Sequence, residues 1–166
     1  MDFGQLLNDF LSRDASPLVQ FIKYALAGGI ATGVHILTFF LIGFFLFPCV
    51  NKEDILVRLF RLKAPEVDEK LRARHAVFSN ICAFFVSNTV CYVINRLFVF
   101  QPGRHSLVVE FLLFLVVSAV SMTIGTTVMG ELIKRLKMQT TYAFGANLIS
   151  SLLINYVMRK FFVFQG

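Results

Sequence analysis

The stretch "YVINRLFVFQ" (residues 92–101) returns as "YVMRKFFVFQ" (residues 156–165). Tyr92, Val93, Phe98, Val99, Phe100 and Gln101 recur as Tyr156, Val157, Phe162, Val163, Phe164 and Gln165, at a constant separation of 64 residues. Each copy sets a cation between an apolar run and an aromatic stretch, Arg96 in the first and Lys160 in the second. Six identities in ten, at the same point of two apolar runs, predict an internal duplication.

The runs that precede these boxes decide the class. The chain has 166 residues, 57% of them hydrophobic and 16% charged, with 20 Phe and no Trp. A soluble domain carries about 25% charged residues. The charges here are confined to a few segments between long apolar stretches, the pattern of an all-α, multi-pass membrane protein. Four spans are predicted, at about 21–47, 76–98, 107–130 and 141–160, within a membrane domain covering 16–165. The fourth is the shortest and the most polar. Residues 1–15 form an amphipathic segment too short to span, with Phe3, Leu6, Leu7, Phe10 and Leu11 on one face. Residues 48–75 are the one long polar insert, with a second interfacial helix in "KEDILVRLFRLK" and a helix start at Pro65. Ser16 followed by Pro17 predicts an N-cap and first helical residue for span one.

Two spans per repeat is an even number, so two tandem helical hairpins insert the same way up, related by an axis along the membrane normal. Span one opens "FIKYALAGG" and span three "FLLFLVVSA", with the small pairs Gly28–Gly29 and Ser118–Ala119. Small residues let helix backbones approach closely in lipid.

The net charge of +6 sits at the ends of the apolar runs, where anionic headgroups lie, and no nucleic-acid motif is present. Cys49, Cys82 and Cys91 are odd in number and match no metal spacing. His35, His75 and His105 fall at different predicted depths, and no carboxylate pair or activated nucleophile is evident, so no catalysis, metal or cofactor is expected. No cleavable signal peptide is visible.

The boxes admit a plain explanation: cations at span ends snorkel to headgroups while aromatics mark the interface. Polar residues inside the spans point further. Asn147, Ser151, Asn155 and Arg159 recur every four residues along one helical stripe, and Asn80, Ser87, Asn88, Cys91 and Asn95 cluster on span two. Amides exposed to hydrocarbon are costly, so both stripes are expected to face other helices. Amides bind sugar hydroxyls, and guanidinium or ammonium groups bind phosphate. Arg96, Arg159 and Lys160 are therefore the candidate phosphate ligands. Asn88, Asn95, Asn147, Ser151, Asn155, Tyr92, Tyr156 and His35 are candidates for a polar groove holding a sugar.

With these residues in place the sequence resembles the GtrA-like family of small four-span membrane proteins. The resemblance covers residues 18–165 and rests on "FIKYALAGGIATGVHILTFFLI", "CYVINRLFVF" and "NYVMRKFFVF". Asn95, Arg96, Val99 and Phe100 match the family pattern in the first copy, and Asn155, Tyr156, Val163 and Phe164 in the second. Cys91 stands where the family usually has Asn, Arg159 where it has Asn, Lys160 where it has Arg, and His35 where span one often has Asp. The resemblance implies a translocase that moves polyprenyl-phosphate-linked sugar across the cytoplasmic membrane for cell-surface polysaccharide or glycolipid synthesis, beside a membrane glycosyltransferase. Homo-oligomers fit the same scheme.

A scaffold or accessory subunit for the glycosyltransferase is the main alternative, and a small multidrug antiporter a further one. The antiporter needs a carboxylate at depth. Glu110 and Glu131 are read as lying near span ends. Orientation divides the indicators. The terminal side carries Arg13, Lys23, Arg96, Arg104, Arg159 and Lys160, while segments 51–75 and 131–137 carry ten cations, which favours termini outside. The resemblance implies cytoplasmic termini, and those are expected. Arg96→Ala is expected to weaken ligand binding without unfolding the bundle.

Overall fold

A computed structural model describes residues 10, 12–52, 54–63, 66–136 and 140–164, with backbone alone at 55, 56, 126, 129, 130, 133, 140–145 and 147. The elements are helices α1 (Pro17–Phe45), α2 (Ile55–Leu59), α3 (Glu69–Ile94), α4 (Leu107–Leu136) and α5 (Thr140–Met158). A π-helical turn continues α3 over Asn95–Val99, and another continues α5 over Arg159–Phe164. Among the described residues there is no strand.

Among the described residues, three segments are long and apolar enough to cross a membrane: Pro17–Phe45, Glu69–Val99 and Leu107–Gly125. They coincide with the first three expected spans. The fourth expected span is helical over Thr140–Met158 but is not among these three segments. The distribution of polarity is inverted relative to a water-soluble protein. Leu26, Ile30, Leu37, Val116 and Val120 are exposed, whereas Asn95, Glu110, Ser79 and Ser121 are buried. In lipid this is the low-energy arrangement, since polar groups must be satisfied inside the protein.

The chain divides into two compact units, Gly28–Cys91 and Met1–Ala27 with Tyr92–Gly166. In the unit of residues 28–91, His35 on α1 meets two side chains of α3: Nδ1 is 3.2 Å from Ser87 Oγ and Nε2 is 3.1 Å from Asn80 Oδ1. His75 Nδ1 lies 2.9 Å from the Pro48 carbonyl, and Phe47 packs on Phe78. Helix α3 starts at Glu69, later than the expected Pro65, which itself lies outside the described residues. Asp68 is the cap: its Oδ2 accepts from the Lys70 amide at 3.1 Å, and its carbonyl from the Arg72 amide. The interfacial helix of the insert is only Ile55–Leu59, and Arg61 ends it with φ of 52°, a left-handed turn. A Cβ on Gly28 or Gly29 would meet nothing within 4 Å, so the close backbone approach expected at this pair is not seen.

In the other unit α4 packs on α5, and the second π turn lies against both. Helix α1 starts at Pro17, with Ser16 accepting from the Gln20 amide. The amphipathic segment 1–15 falls mostly outside the described residues. Its last part reaches the first π turn, where Arg13 Nε donates to the Leu97 carbonyl at 2.8 Å. Gln20 Nε2 donates to the Val99 carbonyl at 3.2 Å. Both satisfy carbonyls that a helix end leaves without partners.

Candidate functional site

The site is built where the two boxes end their helices. A π turn inserts one extra residue per turn, and its mark is the Phe100 amide bonding the Asn95 carbonyl, five residues back. In the first box this turn buries Asn95, Val99 and Phe100 and leaves the Arg96 side chain 27% exposed. In the second it buries Arg159, Val163 and Phe164 and leaves Lys160 half-buried. Phe100 and Phe164, equivalent residues of the two boxes, stack on each other with ring centroids 4.9 Å apart.

Each box then docks on the start of another helix. Tyr92 donates to Glu110 Oε1 on α4 at 2.7 Å and lies 3.4 Å from the Leu107 carbonyl. Tyr156 donates to Gln20 Oε1 on α1 at 3.1 Å and lies 3.4 Å from the Pro17 carbonyl. Tyr92 meets the ring of Phe111 at 5.2 Å, and Tyr156 meets Phe21 at 5.2 Å. Tyr92 meets Phe114 at 5.5 Å, and Tyr156 meets Tyr24 at 5.4 Å. Box residues correspond by a shift of 64 and helix-start residues by a shift of 90, so Gln20 answers to Glu110. One further match is cationic: Arg96 Nη1 donates to Tyr92 at 2.9 Å, and Lys160 Nζ to Tyr156 at 3.4 Å.

The two constellations differ in charge. Arg96 also donates to Glu110 Oε1, at 2.7 Å, closing an ion pair with a fully buried carboxylate. Glu110 Oε2 is buried and has no hydrogen-bond partner among the described residues. Leaving such an oxygen unsatisfied costs about 1–3 kcal/mol, more when it carries charge. Arg159, at the place of Asn95, is held inside. It donates to Tyr24 at 3.2 Å and to Ser118 Oγ at 2.6 Å, and its guanidinium sits 3.7 Å from the Phe114 ring centroid. That geometry uses both the planar donors and the cation–π capacity of arginine.

Of the remaining expected residues, Asn155 Nδ2 donates to Ser121 Oγ at 2.8 Å, joining α5 to α4, and to the Ser151 carbonyl at 2.9 Å. Asn147 lies on α5 with its side chain outside the described residues. Asn88 bonds the Phe84 carbonyl of its own helix and, with His35, belongs to the unit of residues 28–91. Sequence reasoning missed Glu110, Gln20, Tyr24 and Ser118. Glu110 lies in the first turn of α4, at the span end where the sequence places it, and has no exposed surface. Its signal is a lone acid flanked by "SLVV" and "FLLFLVV".

A helical, multi-pass membrane protein with cation–tyrosine pairs at two helix ends is thereby defined. The model of the GtrA/DPMS transmembrane domain matches residues 67–164, more than half of the chain, and the chain belongs to that family. No curated protein and no solved structure matches the chain.

Proposed function

We propose that the protein is a non-catalytic translocase of the cytoplasmic membrane that carries polyprenyl-phosphate-linked sugar, and that Arg96 and Lys160 take the phosphate. The observation that supports this most directly is the pair of partly exposed cations, each held by a tyrosine four residues earlier, at the ends of α3 and α5. A cation oriented by a hydroxyl, beside exposed apolar surface, suits a ligand with an anionic head and a lipid tail. Arg159, engaged by Tyr24, Ser118 and Phe114, adds positive potential behind the two. Asn95, Asn147, Ser151, Asn155, Tyr92 and Tyr156 supply polar groups on the same unit for the sugar. His35 is assigned to joining α1 and α3, and Asn88 to a bond within α3.

Two tandem hairpins and a fourth span complete the proposal. Helix α5 has 19 residues. At 1.5 Å per residue it is about 28 Å long, close to the hydrocarbon thickness of about 30 Å. The matched contacts at shifts of 64 and 90 support descent from a duplicated hairpin. Cytoplasmic termini and a glycosyltransferase partner are part of the same proposal.

The test is transbilayer movement. The purified protein in sealed vesicles with labelled polyprenyl-phosphate-sugar is expected to move the lipid faster than empty vesicles, and Lys160→Ala to slow it at least about tenfold, the loss of one charge-assisted contact. Movement no faster than in empty vesicles sinks the translocase and favours the scaffold reading.

A further inference from the structure

We propose that Glu110 is a proton-operated counterion of the Arg96 site: a proton on Oε2 releases Arg96 to a phosphate, and the deprotonated carboxylate reclaims it. The inference rests on Arg96 being a phosphate ligand. It is carried first by the carboxylate itself. Oε1 takes both donors, Tyr92 and Arg96, while the buried Oε2 has none among the described residues. A carboxylic acid has this asymmetry by nature, with one oxygen accepting and the other donating.

The second constellation shows the neutral state already built. Gln20 has the shape of a protonated glutamic acid. Its Oε1 accepts from Tyr156, and its Nε2, in the place of Oε2–H, donates to the Val99 carbonyl. The residue 64 positions beyond Val99 is Val163, so the repeat points to its carbonyl as the acceptor for a proton on Glu110. Among the described residues Lys160 has no carboxylate within ion-pair distance, whereas Arg96 has Glu110.

Charged and titratable groups of the same unit include Tyr92, Arg96, Tyr156, Arg159 and Lys160, with Lys23 and Tyr24 on α1 and Glu131, Lys134 and Arg135 at the far end of α4. Arg104 and His105 lie in the loop before α4. Asp14 is bonded to Gln101. The proton comes from the aqueous phase and forms one O–H bond on Glu110. The single negative charge of a phosphodiester then replaces the carboxylate beside Arg96. Binding takes up one proton and tightens as pH falls.

The test uses the full chain in lipid nanodiscs with a farnesyl phosphoryl-glucose diester, whose phosphate keeps one charge between about pH 5 and about pH 8. The wild type is expected to lose affinity as pH rises, with a slope approaching about tenfold per pH unit, and to take up a proton from weak buffer on binding. Glu110→Gln is expected to bind at all pH values as tightly as the wild type at the acid end, with no proton uptake. Wild-type binding that is independent of pH, or pH dependence retained by Glu110→Gln, overturns the counterion. The double variant Arg96→Ala/Glu110→Gln separates this from failure of the site. Weaker binding than Glu110→Gln upholds Arg96 as ligand, and equal binding removes the site itself.

Discussion

Arg96 and Glu110 hold each other, and this changes what a substitution at Arg96 measures. From the sequence, Arg96→Ala is a clean binding probe. With Glu110 fully buried, the same change strands a carboxylate. Removing one partner of a buried pair costs about 3–5 kcal/mol, and the partial exposure of Arg96 puts the expected loss nearer about 3 kcal/mol. Glu110→Gln is expected to stay within about 1 kcal/mol of the wild type, because Gln20 shows that an amide suits this constellation. Combining the two is expected to recover most of the loss. Equilibrium unfolding of the three variants in mixed micelles checks this, and a double variant no more stable than Arg96→Ala counts against the pairing. The sequence displayed the cations because they recur in the boxes. It hid Glu110 because its partner Gln20 differs in charge and lies outside them. Cys91 and Asn155 show the same decoupling. Asn155 bonds Ser121, whose counterpart at the shift of 90 is Ala31, so the position answering to Asn155 has no hydroxyl for an amide to use.

At the level of elements, apolar length and charge placement made the first three spans legible, and the Ser16–Pro17 start of α1 followed from capping chemistry. The π turns were not legible. An extra residue per turn leaves no periodic trace in five or six residues, and it pays for itself only through tertiary contacts such as the Phe100–Phe164 stack. The start of α3 was misread for a related reason, since Pro65 and Asp68 are both good starting residues and the Asp68 side-chain bond decides between them. The loop between α3 and α4 carries a stricter demand. A Cβ on Gly103 would collide with the Phe164 carbonyl, backbone near the end of the second box. Gly103→Ala must therefore displace the loop or the π turn. The expected cost is about 1–3 kcal/mol, the range for overpacking. Hydrogen exchange localises it: faster exchange is expected at the amides of 100–106 and 159–164, with α2 unchanged. Exchange unaltered in both segments would show that Gly103 has room.

For the whole molecule the open question of architecture reduces to whether α5 crosses the bilayer. The helix is long enough, but amides and hydroxyls are spread along it. Its polar residues are spent partly on α4, as at Asn155 and Ser121, and a span whose polar side chains bond a neighbour needs less apolarity to cross. Four spans place residue 105 and the carboxyl terminus on one side of the membrane, and three place them on opposite sides. Single cysteines at 105 and at 166, in a chain with Cys49, Cys82 and Cys91 replaced, are expected to react with an impermeant maleimide from the same face. Burial pushes the Cys49 thiol above the ordinary range, which lowers its thiolate fraction and its background labelling. Protection of one position and labelling of the other from a given face would reduce the bundle to three spans. The second box would then lie across the membrane from the loop at 101–106, although Gly103 abuts Phe164 in the fold. That contact is why labelling from one face is the expected result.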